Sequence, residues 1–425
     1  MLLTSPTGAT RSGICATVGL PLARSVLALH DLADLDCVEG SRQARHADLF
    51  LNFDMLTSCN LRDFARVSLY LKANGGALCE AEPLRLIVQA LGHWASFDYP
   101  AARRDFVAHI ARYDCDVLAI FMLHMLDFCT GRTVELLDVL NRADERALAE
   151  GSQYPYYLAI KSFVLCERGD YDSALEHGLA SFGLERDNIY AVHAITHAYH
   201  EMKDDASIIA FLREHEHDWI DNPGMRMHVY WHKAIAELGQ GQPGSARASF
   251  DYFASMRACS HAEQDLDIVG FLWRHKMAYP NDHRYDALWR QLADRWTGCI
   301  GASISYFHDL HAALCFCAAN KPFLIKKMIY RSDGVGVPYD AHQVGVAILT
   351  AVYHYSAGNY AETVSILEST LAQWPKIGGS GAQRELLSLT LRDALLRCRT
   401  ASPKVHQPAP ALSHHAIMAV TGLTY

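Results

Sequence analysis

Histidine is the residue type whose placement in this chain first points to chemistry. Residues 193 to 232 hold seven of the 23 histidines, where composition alone would put about two in a stretch of that length. His193, His197 and His200 fall at i, i+4 and i+7, so a helix would carry all three on one face. His228 and His232 repeat the i, i+4 relation further on. A pair of histidines at that spacing chelates one borderline metal through neutral imidazoles, and a second pair from a neighbouring helix completes four-coordination. His193, His197, His228 and His232 are therefore candidate ligands for a divalent ion such as Zn, and equally candidate catalytic groups. Two other readings stand beside the metal. Imidazoles near their ordinary pKa of about 6.5 suit proton transfer in a pocket without metal, and buried histidines also serve as hydrogen-bonded packing. The H-E-x-x-H pattern of metalloproteases is absent, because residue 194 is Ala194 and Glu201 follows the cluster. His215 and His217, beside Glu214, Glu216 and Asp218, read as a solvated helix end.

Two further segments carry candidate groups. In Tyr306-Phe307-His308-Asp309-Leu310-His311, His308 and His311 share a helical face and Asp309 does not. A carboxylate within reach of a histidine orients it as a general base, so His308 is a candidate catalytic group with Asp309 and His311 as ligand-binding candidates. The alternative is an ordinary amphipathic helix with Leu310, Leu314 and Cys317 on its apolar side. In Gly378-Gly379-Ser380-Gly381-Ala382-Gln383-Arg384-Glu385 the spacing is that of a capping box, with Ser380 as N-cap and Gln383 at the third helical position. A glycine-rich helix entry also holds anions, with Arg384 to help, but it lacks the Gly-x-x-x-x-Gly-Lys pattern of a nucleotide loop.

The elements that would position these groups are helical. Tyr157 to Leu175 reads as a helix, a turn at Gly169, and a second helix starting at an Asp or Ser cap, with Ala174 small where the two helices cross. Related turns stand at Gly241 with Pro243 and Ala246, at Gly358 with Tyr360 and Ala361, and in a diverged copy from Ala90 to Ala102. Between them the apolar residues keep spacings of three and four, and alternating β-branched runs are almost absent. The expected fold class is all-α, a right-handed α-solenoid of divergent tetratricopeptide-like helix pairs over residues 25–399. A flexible Ser, Thr and Gly-rich segment is expected over 1–24 and a Pro-containing tail over 400–425.

Composition bounds the rest. The chain has 425 residues, half of them hydrophobic and 20% charged, which excludes a mainly disordered or collagen-like protein. Its net charge of −9, with no basic patch, argues against nucleic acid or an anionic membrane as partner. Twelve cysteines with no C-x-x-C spacing read as reduced thiols. Neither a signal-peptide pattern nor a run of about 18 apolar residues is found, so a cytoplasmic protein is expected.

Four motifs together resemble the tetratricopeptide repeat protein 38 family: Ala191-Val192-His193-Ala194-Ile195-Thr196-His197 with Glu201-Met202; His228-Val229-Tyr230-Trp231-His232-Lys233-Ala234; Leu266-Asp267-Ile268-Val269 with Leu272-Trp273-Arg274; and Gly378 to Arg384. The likeness extends over roughly residues 80 to 400. It implies an α-solenoid of divergent repeats and carries no catalytic assignment. The matched polar set is His193, His197, His228, Trp231, His232, Gln383 and Arg384, which adds Trp231, Gln383 and Arg384 to the ligand-binding candidates. The chain departs from the family at Val229, where an Asn is usual, and lacks an Asp and a Ser before Leu272-Trp273-Arg274.

The sequence thus predicts a closed His-rich pocket that binds, and as an enzyme would transform, a small polar molecule; the reaction class stays open, and a homo-oligomer is compatible. The alternative is a protein-interaction scaffold taking a peptide or partner helix in its concave groove, the usual role of such arrays. Peptide-carboxylate binders present Lys and Arg on their first helices, whereas these faces show histidines and aromatics.

Overall fold

A computed structural model describes residue 49 and residues 52–79, 84–113, 116–222, 225–256, 262–300, 304–331 and 339–401. The expected N-terminal segment 1–24 and residues 402–425 of the expected tail lie outside the described residues. Among the described residues the chain is all helical, with no strand. Its longer helices are α1 (Leu61–Cys79), α2 (Arg85–Ala95), α3 (Tyr99–Arg112), α4 (Val117–Cys129), α5 (Tyr154–Arg168), α6 (Tyr171–Leu184), α7 (Ile189–Glu201), α8 (Asp205–Glu214), α9 (Arg226–Gly239), α10 (Pro243–Ser255), α11 (Ala262–Ala278), α12 (Asp286–Thr297), α13 (Tyr306–Ala318), α14 (Pro322–Arg331), α15 (Tyr339–Ser356), α16 (Tyr360–Thr370) and α17 (Gly381–Ala401). The last helix therefore runs slightly past the expected boundary at 399. None of the described helices is long and apolar enough to cross a membrane, and Cys59, Cys129, Cys166, Cys299, Cys315, Cys317 and Cys398 are free thiols.

One turn recurs through the array. Phe97, Gly169, Lys203, Gly241, Asn320 and Gly358 all have positive φ, between 56 and 91°. At each, that residue's N–H donates to the carbonyl three residues back, and the next N–H donates to the carbonyl five residues before it. Gly169 to Cys166 and Asp170 to Leu165 form one such pair, and Lys203 to His200 and Asp204 to Tyr199 another. This double bond is the Schellman end of a helix, and it reverses the chain into the next helix within two residues. Asp98 and Asp204 then cap the following helices, accepting from Ala101 N–H at 3.1 Å and Ser207 N–H at 3.0 Å. Ala102, Ala174 and Ala246 are fully buried at the crossings. The helices touch closely enough there that a Cβ at Gly178 would meet Ile195 at 2.9 Å.

In an open array each repeat touches only its neighbours. Here the last helix does more, because α17 packs on α7 and α11 as well as on α16. A seven-residue 3-10 helix, Leu371–Ile377, delivers the chain to Gly378 and Gly379, which enter α17 at φ of 88 and 76°. Arg384 pairs with Glu167 at 3.0 Å, Arg274 with Glu385 at 3.0 Å, and the Trp273 indole donates to Thr390 Oγ1 at 3.0 Å. These contacts tie α17 to α5 and α11, and it packs as well on α7, which carries His193 and His197.

Candidate metal centre

The geometry of α7 starts at its cap. Asn188 accepts from Tyr190 N–H at 3.1 Å, and from that origin the 3.6-residue period puts His193 and His197 on the face turned to α9. His228 and His232 meet them from α9. His193 Nε2 lies 2.9 Å from His197 Nε2 and 3.1 Å from His228 Nε2. One ligand atom from each of the four histidines lies within 4.8 Å of all the others. A tetrahedral ion bound at 2.0–2.1 Å has ligand atoms roughly 3.3 Å apart, so the four imidazoles reach that arrangement by small ring rotations.

Hydrogen-bond chemistry favours a cation at their centre. His228 Nδ1 lies 2.9 Å from Asp267 Oδ1. A carboxylate only accepts, so Nδ1 carries the proton and Nε2 turns its lone pair to the cluster. A carboxylate behind a histidine in this way is the support that metal-bound imidazoles use. His193 Nε2 then faces two neighbouring Nε2 atoms, and one ring nitrogen cannot serve both as a proton donor. His197 Nδ1 and both nitrogens of His232 are buried with no hydrogen-bond partner, a cost of about 1–3 kcal/mol for each unmet group. An ion accepting the inward lone pairs relieves the conflict among them. Burial first, and then the charges of the neighbouring histidines, hold His193, His197 and His232 well below the usual imidazole pKa. The rings are therefore neutral, the state a metal requires.

Aromatic walls fix the rings. Phe163 stacks on His193 with centroids 5.6 Å apart and meets His197 edge-on at 4.9 Å. Trp231 stacks on His228 at 5.1 Å, and the Arg274 guanidinium covers the Trp231 ring at 5.3 Å. Trp231 thus acts as a support for His228, and it does not line the cavity.

His193, His197 and His228 line a cavity of about 120 Å³, with His232 behind them. One water needs roughly 10–15 Å³ on this measure, so the space takes a small molecule. Its body is apolar, from Phe121, Phe128, Phe163, Phe307 and Met125 among others, and its polar groups include His124, Ser305, His308, Ser380 and Gln383. The structure therefore brings the histidine cluster, His308 and Gln383 to one place from segments distant in sequence.

The remaining candidates lie elsewhere or act differently. His308 Nδ1 pairs with Ser305 Oγ at 2.9 Å; the group that orients it is thus a serine in place of the expected Asp309. Burial lowers His308 to about 3, so it offers a hydrogen bond where a general base was expected. Asp309 is half-buried outside the cavity lining, and burial raises its carboxyl to about 7. His311 is buried with Nδ1 2.7 Å from the Phe307 carbonyl. Gln383 and Ser380 form the expected capping box: Ser380 N–H donates to Gln383 Oε1 at 3.0 Å and Gln383 N–H to Ser380 Oγ at 3.2 Å. Arg384 binds Glu167 and the carbonyls of Gly378 and Gly379. Glu167 also accepts from Gly381 N–H at 2.7 Å, so the anion at this helix start is the chain's own carboxylate. Sequence reasoning did not single out Asp267, Glu167 or His124 for these places; only the Leu-Asp-x-Val motif around Asp267 marked one of them. No model of a known protein family matches the chain.

Proposed function

We propose that this protein is a tetratricopeptide-like right-handed solenoid, of the kind its four motifs resemble, whose last helix closes a metal centre inside the array. His193, His197, His228 and His232 hold one divalent first-row ion, for which neutral imidazoles suit Zn, Cu, Fe and Ni. Four imidazoles close a tetrahedral shell, so an ion held there would supply Lewis acidity to a ligand in the cavity only by expanding its coordination beyond them. The ligand is a small molecule with a polar head, placed by His308 and Gln383 beside the histidine face, and an apolar body against Phe121, Phe128 and Phe307. The observation that carries this reading is the placement of His228, held from behind by Asp267 and aimed at three other imidazoles. The scaffold alternative has less support, because α17 packs on α7 and α11 and so covers surface that an extended peptide would need.

The test is metal content by mass spectrometry on protein purified without chelator, alone and after loading with each of Zn, Cu, Fe and Ni. About one ion per chain is expected, lost in the His193→Ala, His197→Ala, His228→Ala, His232→Ala variant with its helical circular dichroism retained. Binding of none of these ions at stoichiometric level would refute the metal centre and leave a hydrogen-bonded pocket.

A further inference from the structure

Another part of the same cavity wall carries a pair of thiols. Cys59 sits in the turn before α1, and Cys129 is the last residue of α4. Both line the metal-facing cavity, and both line a smaller adjoining one of about 20 Å³. Both thiols and the Tyr99 ring line the smaller cavity together, and the neighbouring Cys59, with burial, raises the Cys129 thiol well above its usual range. Seventy positions of sequence separate them, so no local spacing places them together; the packing of α1 to α4 does.

The backbone holds both in place. Cys59 has φ of +50°, a conformation that non-glycine residues adopt only where the surroundings impose it. Ser58 Oγ lies 2.7 Å from the Met55 carbonyl and 2.9 Å from Asp63 Oδ2, and Asn60 N–H donates back to Ser58 Oγ at 3.2 Å. Cys129 ends α4 where Thr130 Oγ1 donates to the Leu126 carbonyl at 2.7 Å. Its own carbonyl packs against Gly378, where a Cβ would lie 2.8 Å away. Cys166 and Cys315, by contrast, are buried in helices as small apolar residues and line neither cavity.

We infer that Cys59 and Cys129 are a redox-active dithiol that closes to a disulfide in the cavity wall when hydrogen peroxide enters. Peroxide is the oxidant because it is small enough for the adjoining cavity. The Cys59 sulfur attacks one peroxide oxygen as its S–H proton passes to the other, the O–O bond breaks, and water leaves with Cys59 as sulfenic acid. Cys129 then attacks that sulfur, its S–H proton goes to the departing hydroxyl as a second water, and the S–S bond forms. Two thiols and one peroxide give one disulfide and two waters. Cys129 suits the second role because it lines the same wall of both cavities as Cys59 and so stands beside the sulfenic acid. The disulfide ties the turn at 57–60 to the end of α4 and makes the shape of the cavity wall depend on oxidation state.

The test treats full-length protein with hydrogen peroxide, both chelator-treated and Zn-loaded so that metal-driven oxidation is recognised. Catalase stops the reaction, free thiols are alkylated in denaturant, and peptides are mapped by mass. The expected product is a cross-linked peptide joining Cys59 to Cys129, two hydrogens lighter, in both samples and reversed by dithiothreitol. In Cys129→Ser the expected product is a Cys59 sulfenic acid trapped by dimedone. Oxidation of Cys59 without a cross-link in the natural chain would overturn the inference. So would full alkylation of both thiols at peroxide doses that already oxidise methionines.

Discussion

His228 is gripped at both ends: Nδ1 lies 2.9 Å from Asp267 on α11, while Nε2 lies 3.1 Å from His193 on α7. One ring therefore links three helices, and Asp267 decides which nitrogen faces the cluster. Asp267→Ala should lower metal affinity about 10–100-fold while leaving the helical fold in place, because the residue sits at the edge of the cluster. Asp267→Asn should lose less, since its amide oxygen still accepts from Nδ1–H. Competition against a chromophoric chelator measures both; unchanged affinity in Asp267→Ala would remove the orienting role.

Metal and stability are linked, and His232 separates them. An ion that binds only the folded chain stabilises it by about 2.7 kcal/mol at a hundred times its Kd, so chelator should lower the melting temperature by a few degrees. Both nitrogens of His232 are buried and unpaired, and replacing such a group by an apolar one of similar size is close to neutral or favourable. His232→Leu should therefore melt no lower than the natural chain in chelator, and should lose the rise on metal addition. Differential scanning calorimetry with and without Zn reads both effects.

The extent to which the sequence was legible follows from what each feature depends on. Three of the six Schellman turns carry glycine at the left-handed position, at 169, 241 and 358, and those mark themselves. Phe97 and Lys203 adopt the same φ at a cost of about 1 kcal/mol, met by the packing of the helices they join, so their residue types advertise nothing, while Asn320 is a weaker signal than glycine. The i, i+4 histidine pairs were readable because both members sit on one helix. That the pairs meet follows from the direct packing of α7 on α9, as expected of neighbouring helices; that Gln383 shares their cavity depends on α17 folding back over α7 and α11, a long-range closure without local signature. Asp309 shows the opposite failure. It stands next to His308 in sequence, yet successive helical positions point about 100° apart, and Ser305, one turn back, makes the contact.

Acid should unfold the protein through its buried histidines, those outside the cluster included. Burial lowers His124 to about 4, His308 to about 3 and His311 to about 4. In the unfolded chain each titrates near 6.5, so between about 6.5 and 4 the unfolded state binds more protons. Stability contributed by the neutral rings is full above about pH 6.5 and falls progressively as pH drops toward 4. Urea unfolding of chelator-treated protein across that range should show the loss, with a shallower slope in His308→Asn. A slope unaltered by that substitution would mean that His308 is not held neutral.

Two glycines with the same backbone twist make a controlled comparison of packing against conformation. Gly358 has φ of 79° and open space where a Cβ would stand, whereas Gly379 has φ of 76° and a Cβ there would lie 2.5 Å from the Phe307 ring. Gly358→Ala should cost only the left-handed conformation, about 1 kcal/mol. Gly379→Ala should cost that plus overpacking, typically a further 1–3 kcal/mol, because Phe307 is buried and can be displaced only toward the cavity it lines. Phe307 also lines the cavity, so the substitution should narrow it and weaken whatever binds there. Adding Phe307→Leu to Gly379→Ala should recover part of the steric cost, and urea unfolding of the four chains measures it. Equal losses in the two single glycine variants would show that the ring yields freely, and that Gly379 serves the turn alone.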